Sequence, residues 1–162
     1  MKPNDVIVRP ATEDDLEVMG ELWWEMAKFH SAALPIPMKS KAETSVQRRK
    51  YVQERLGDEN SLTLVAETEG HIVGYCRANV GYYPPVYEPQ LYGSINELIV
   101  AERYRRRGIG EAMVGAARDW FKSWGVSRVE VGTMTGNPVS NAFWEKMGFV
   151  TFREVKQIRC ED

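Results

Sequence analysis

The chain has very few of the residues that build metal sites and disulfide frameworks. Of its 162 residues only two are cysteine (Cys76 and Cys160) and two are histidine (His30 and His71). Neither C-x-x-C nor H-E-x-x-H occurs, so no metal site is expected. Cysteines this sparse point to a reduced compartment, although two could still pair. No apolar run approaches the roughly 20 residues that cross a bilayer. The opening MKPNDVIVRPATEDD turns acidic where a signal peptide would need its apolar stretch. Charge of one sign is also missing. Lys plus Arg number 21 against 23 Asp plus Glu, a net charge of −2, which leaves little for bulk electrostatic binding to nucleic acid or anionic lipid. The expectation is a compact cytoplasmic protein with no nucleic-acid partner and no membrane partner.

What is present suits one folded domain over residues 1–162: 43% of residues are apolar and 27% charged, and this length buries a core without staples. Val6 to Val8, ending in Arg9-Pro10, reads as an opening strand. Thr12, with Asp15 three residues on, resembles a helix cap with an acidic first turn. Leu16, Met19, Trp23, Met26 and Ala27 then recur at helical spacing, and Trp24 lies off that stripe. Pro35 and Pro37 make Ser31 to Lys39 a loop. A charged second helix is predicted from about Ala42 to Leu56, stopped by Gly57. From Leu62 the period changes to two. Leu62, Leu64 and Ala66 alternate with polar residues, Glu69-Gly70 turns, and Ile72 to Ala78 runs back as a hairpin. Gly81 to Tyr92 holds three prolines and four tyrosines and is not expected to be a central strand.

Ser94 to Val100 is a strand again. Ile109, Met113, Ala116, Ala117, Trp120 and Trp124 trace one helical face, opposite Glu111, Arg118 and Lys122, and Gly125 ends that helix. Arg128 to Gly132 is a short strand, Pro138 to Met147 a helix, and Phe149 to about Ile158 a last strand whose alternation breaks near Glu154. This order predicts an α/β or α+β fold with a mixed sheet.

The segment from Glu97 to Glu111 carries the chemistry. A strand enters a loop with Arg105, Arg106, Arg107, Gly108 and Gly110, and the loop opens directly into an amphipathic helix. A helix start leaves unsatisfied N–H groups with partial positive charge, glycines permit close backbone approach, and arginines add forked donors. Together these suit an anion, most naturally a pyrophosphate; a solvated basic turn is the alternative. The dinucleotide-binding glycine pattern fails at Met113, and no Gly-Lys-Ser/Thr run exists.

Arg105-x-x-Gly108-x-Gly110 resembles the R/Q-x-x-G-x-G/A signature of the GCN5-related N-acetyltransferases (the GNAT family), and Glu97-Leu98-Ile99-Val100 resembles the strand before it. Asn137 to Phe149 is similar to the family's second motif, N-x-x-S/A-x-x-F/L-Y/W-x-x-x-G-F. Val8 to Ala11 with Asp14-Asp15 looks like the usual first strand and helix start. The resemblance implies a mixed, mostly antiparallel sheet flanked by about four helices, with splayed central parallel strands.

The resemblance also implies site roles for acetyl-coenzyme A as co-substrate. Arg106 to Glu111, including Gly108, Ile109 and Gly110, would offer amides to the pyrophosphate, and Arg105, Arg106 and Arg107 would add charge. Leu98, Ile99 and Val100 would line the pantetheine, with Leu98 and Val100 bonding it through their backbone. Asn137, Ser140 and Trp144 would complete the cofactor side. Glu97 would be the general base that removes a proton from the amine; an ion pair with an arginine is its alternative. Family members often carry a tyrosine acid where Trp144 stands, and an indole N–H cannot surrender a proton near neutral pH. Trp24, His30, Tyr83 and Glu88 are candidate acceptor-lining residues. The acceptor would be a small-molecule or protein amine, and a homodimer stays open. A non-catalytic acyl-coenzyme A sensor of the same fold is the alternative function.

Overall fold

The computed structural model describes residues 6–34 and 36–160, so the readings of MKPND and Pro35 lie outside the described residues. Strand β1 spans Ile7–Pro10, helix α1 Leu16–Ser31 and helix α2 Ser45–Gln53. Strands β2 (Ser61–Thr68), β3 (His71–Tyr82) and β4 (Leu91–Val100) follow. Helix α3 (Ile109–Ser123), strand β5 (Val129–Val131) and helix α4 (Pro138–Lys146) complete the described elements. The sheet runs β1-β2-β3-β4-β5, antiparallel except for the final parallel pair. This is the mixed, mostly antiparallel sheet with four helices that the residue pattern and the resemblance imply. No described helix is long and apolar enough to cross a membrane.

Each face of the sheet carries its own core. On one, Leu64, Ala66, Cys76, Ala78 and Ile95 pack against Ile109, Met113, Val114, Ala117 and Phe121 of α3 and Trp144 of α4. On the other, Val65, Tyr75 and Ile99 pack against Leu16, Met19 and Leu22 of α1 and Val52 of α2. Leu22, Val114 and Phe121 are buried although they lie outside the stripes read from the sequence. Gly93 is needed where it stands, because a Cβ there would come within 2.5 Å of the Phe121 ring. Helices α1 and α2 are tied together by a buried arginine. Arg48 bonds Glu21, the Lys41 carbonyl and Thr44, and its guanidinium lies 5.2 Å from the Trp24 ring.

Two strand readings are corrected. The two ends of Gly81 to Tyr92 do belong to central strands: Gly81 pairs with Tyr92 and Tyr82 with Leu91, so only residues 83–90 form the connection. The prolines fall inside that connection, where no ladder hydrogen bond is asked of them. Gly81 accepts the pairing because the Tyr92 ring packs over it, in the space a side chain would fill. The last strand is absent. Residues 149–160 form no strand, since β5 offers an edge of three residues and the segment makes no ladder with it. The second helix is also shorter than read, its first turn being a 3₁₀ turn at Ala42–Thr44.

The entry to α1 follows the capping pattern. Asp15 accepts from the Thr12 N–H at 2.8 Å while its own N–H donates to the Thr12 carbonyl at 3.1 Å. Arg9 of β1 grips the same carboxylate with two bonds, at 2.8 and 2.9 Å. That guanidinium, helped by the Thr12 N–H, holds the Asp15 carboxyl below the usual carboxylate range against the opposing effect of burial. The stability this contributes is present above the ordinary carboxylate range and is lost as pH falls through the depressed folded value. Asp15→Asn should therefore lower stability near neutral pH and flatten its fall below about pH 4, as urea denaturation at a series of pH values would read.

Candidate functional site

A one-residue slip in the β3–β4 ladder builds the site. Arg77 pairs with Glu97 but Ala78 pairs with Ile95, which leaves Asn96 as an extra residue on β4. Side chains alternate along a strand, so the extra residue exchanges the faces beyond it. Ile95 accordingly packs under α3 whereas Ile99 packs under α1. Glu97 lies beyond the slip and is buried against Tyr75, with Tyr51 of α2 above it.

The same region ends the parallel pairing. β4 and β5 pair only from Gly93 with Val129 to Ile95 with Val131, and then part. A cleft of about 810 Å³ opens beyond, lined by Leu98, Ile99 and Val100 of β4, the Tyr104–Glu111 turn and helix start, the first turns of α4, and Met26, Phe29 and His30 of α1. Its size is that of an ordinary small-ligand site. A smaller cavity of about 90 Å³ adjoins it and includes Glu97 and Asn96. Met26, His30, Leu98, Ser140 and Trp144 line both.

The basic loop is held from within. Arg105 donates to the Val100 carbonyl at 3.0 Å, and its guanidinium lies 5.3 Å from the Phe29 ring. Gly108 sits at φ 80°, immediately before α3, and Arg106 at φ 64°. A left-handed non-glycine residue costs on the order of 1 kcal/mol or more, so the fixed neighbours hold Arg106 there. The first N–H groups of α3, at Ile109, Gly110 and Glu111, have no intrahelical acceptor. A Cβ on Gly110 would stand 3.4 Å from the Phe143 ring and 3.9 Å from Leu98, inside the cleft. Opposite, Asn137 caps α4 by accepting from the Ser140 N–H at 3.0 Å, with Pro138 opening the helix.

The structure brings together most of the residues singled out in the sequence. Leu98, Ile99, Val100, Arg105, Arg106, Gly108, Ile109, Gly110, Glu111, Asn137, Ser140 and Trp144 all line the larger cleft. Arg107 does not, and its guanidinium stacks 5.4 Å from the Tyr104 ring. Of the acceptor candidates, His30 lines both of these cavities and Trp24, Tyr83 and Glu88 line neither. Trp24 is under Arg48, Glu88 is exposed in the 83–90 connection, and Tyr83 bonds Glu130 of β5 and stacks on Tyr92. Burial keeps the His30 imidazole below its ordinary range. Trp144 is buried edge-on between Phe143 and Phe149 while still reaching both cavities. Cys76 is a buried small hydrophobe, its thiol pushed up to about 12 by burial.

The sequence reading anticipated an arginine beside Glu97 but not the two phenols that bond it. Tyr51 donates to one carboxylate oxygen and Tyr75 to the other, both at 2.9 Å, and Arg77 lies 3.7 Å away. Burial, reinforced by the negative charge of Glu97, raises both phenols above their usual range, so they remain donors at neutral pH. Tyr75, two residues before Arg77 on the same face of β3, was in principle findable from the register; Tyr51, 46 residues away on another helix, was not. Tyr75→Phe should cost about 1–3 kcal/mol, because it leaves a buried carboxylate oxygen one donor short. Tyr51→Phe should cost less, since Tyr51 is only half-buried and water can replace it. Urea denaturation of the two variants gives the comparison.

Comparison with known proteins bears on what this arrangement serves. The sequence profile of the Acetyltransferase (GNAT) family matches residues 21–149. An N-alpha-acetyltransferase of Sulfurisphaera tokodaii is 30% identical over 114 residues, 67% of this chain and 66% of that protein, so the chain spans just under two thirds of its relative. A transcriptional regulator from Bacillus halodurans C-125 superposes with a TM-score of 0.79 at 23% identity, over 95% of this chain and 99% of that one. An aminoglycoside N-acetyltransferase in complex with CoA superposes with a TM-score of 0.76 at 17% identity, over 95% and 93%. These two likenesses are of fold, whereas the profile match spans well over half of the sequence. The chain therefore belongs to the GNAT family of acetyltransferases.

Proposed function

We propose that this protein transfers an acetyl group from acetyl-coenzyme A to a primary amine, directly, in a ternary complex. The observation that carries the reading is the continuity of the two cavities. A helix-start anion loop borders one, a buried carboxylate borders the other, and five side chains are common to both. A thioester lying along β4 from the loop toward Trp144 would meet an amine entering beside Glu97.

The residues present fit such a co-substrate. The amides at the start of α3, with Arg105 and Arg106 beside them, suit a pyrophosphate. Beyond Ile95 the parted edge of β4 faces the cleft instead of a strand, which suits the amide-bearing pantetheine arm. Glycine at position 110 keeps the helix start open to the cleft.

Amine acylation needs a neutral amine, and an alkylammonium has a pKa of roughly 10. Glu97 accepts its proton, directly or through one water. The freed lone pair forms the C–N bond at the thioester carbonyl, and the C–S bond breaks with its electrons on sulfur. The proton that the nitrogen still carries in excess after the C–N bond forms passes through water to the thiolate, since the indole of Trp144 cannot give one up. No covalent enzyme intermediate is involved, which agrees with the buried, unactivated state of Cys76. His30 gives a second reading of the base, since burial favours its neutral imidazole and it borders both cavities. Acceptor choice then falls to α1 and α2. Amines are the acceptor class suggested by the names of the N-alpha- and aminoglycoside N-acetyltransferases to which the chain is similar.

Two measurements test this. Acetyl-coenzyme A should raise the melting temperature more than ATP or NAD does, because a ligand bound only by the native state stabilises it by mass action. Gly110→Leu should abolish that shift with the fold intact. Equal shifts for all three ligands would remove the co-substrate assignment.

Glu97→Gln should keep the thermal shift while kcat, followed by thiol release with a panel of amines, falls about 10²-fold or more near neutral pH. The deficit should narrow at high pH, where more amine arrives deprotonated. Turnover unchanged in Glu97→Gln but lost in His30→Gln would transfer the role of base to His30. Binding without thiol release for any amine would favour a sensor module.

A further inference from the structure

The smaller cavity beside Glu97 has a definite chemistry. Its volume of about 90 Å³ is that of about three waters. Six apolar side chains wall it: Met26, Ile95, Leu98, Val131, Met134 and Trp144. Asn96, Thr133 and Ser140 are its neutral polar groups. Among the described residues that line it, Glu97 is the one acid and none is lysine or arginine. His30 adds little counter-charge, since burial holds its imidazole below the ordinary range.

These limits sort the amines. One carboxylate in an apolar wall balances one ammonium, and a second buried charge without a partner is costly. The acid on the larger cleft, Glu111, already pairs with Lys146. A carboxylate next to the amine would meet Glu97, with no cation on the wall to receive it; Arg77, near Glu97, lines neither cavity. A sugar ring at the amine exceeds the volume, whereas an ammonium on about two methylenes fills it.

The rest of such an amine has an apolar seat. Ala33, just past α1, packs on Gly136, where an added Cβ would stand 3.2 Å from its own. Gly136 lies between Met134 of the smaller cavity and Asn137 of the larger, so the segment after Ala33 starts at the border of both. The Leu34 N–H donates to the His30 carbonyl at 3.0 Å, which ties that start to the cavity wall. Leu34, Ile36 and Met38 follow, 38%, 62% and 39% exposed, and Phe29 is exposed on the larger cleft. Apolar side chains gathered at a cavity border and left in water are a surface for a hydrocarbon ligand.

We propose that the site beside Glu97 selects a primary monoamine: an ammonium on an unbranched methylene chain, with a hydrocarbon body that lies on Leu34, Ile36 and Met38. This rests on the acyl-transfer reading and narrows its acceptor class. The ammonium loses one proton through Glu97 and another, by way of water, to the departing thiolate, which leaves an N-alkylacetamide and the thiol.

Titration calorimetry with coenzyme A present, which cannot transfer, reads amine binding; thiol release from acetyl-coenzyme A reads turnover. From propylamine to hexylamine the affinity should rise by up to about fourfold per methylene. Hexylamine and phenethylamine should exceed spermidine, kanamycin and trialanine amide in both readouts by about tenfold or more. Ile36→Asp should flatten the rise with chain length. Thr133→Asp, a second carboxylate on the wall, should raise kcat/KM for putrescine relative to butylamine. Both positions are exposed, so the fold tolerates either change. Selective binding without thiol release overturns the acyl-transfer reading and leaves this preference standing. Thiol release fastest with spermidine, kanamycin or the peptide overturns the preference and leaves that reading standing. Affinity that does not rise with chain length, or a rise that Ile36→Asp leaves intact, overturns the preference too.

Discussion

Where β3 and β4 slip by one residue at Asn96, the two faces of β4 change places, and the site is a consequence of that exchange. Before the slip, β4 packs Ile95 under α3 and pairs in parallel with β5; after it, β4 packs Ile99 under α1 and has no strand on its far side. The bulge and the end of the parallel pair thus fall at the same place. A strand edge released inside a protein leaves backbone donors and acceptors that must find other partners. Here they face the larger cleft, so the backbone itself becomes part of the binding surface.

The exchange also delivers a carboxylate to a buried position, which is costly unless its oxygens are satisfied. Glu97 is 7% exposed, and both of its oxygens accept from phenols. Arg77, opposite it in register, supplies nearby positive charge without a direct hydrogen bond. Because the two phenols come from different elements, the carboxylate fixes α2 against the sheet as well as being fixed by it. One cluster therefore ties α2 to the sheet and borders the smaller cavity.

The helices, the hairpin and the anion loop were legible in the sequence because each rests on a local signal. Examples are the spacing of Ile109, Met113 and Ala117, the Glu69-Gly70 turn, and glycines just before a helix. The side of the cleft built by the loop was legible for the same reason, since Arg105 to Glu111 is one contiguous segment. The side built by the early helices was not. Trp24 and Tyr83 were plausible by type, but Arg48 and Glu130 engage them, and nothing local in the sequence announces those pairings. The Asn96 slip leaves no periodic trace either, because Asn-Glu-Leu-Ile reads equally well in either register. The strand expected after Phe149 has the right composition and lacks only a neighbour, which is a property of the sheet and not of the segment.

Keeping the two cores on opposite faces separates what each pair of helices answers to. Arg48, held between α1 and α2, joins those helices to each other, while α3 and α4 are packed by a different set of side chains. Substitutions on α2 that reshape the roof above Glu97 need not disturb the loop from Arg105 to Gly110, whereas α1 reaches that loop through Phe29, which lies against Arg105. In such a chain the roof and the loop can change separately, and a designer wishing to reshape the roof would work on α2 and leave the opposite layer untouched.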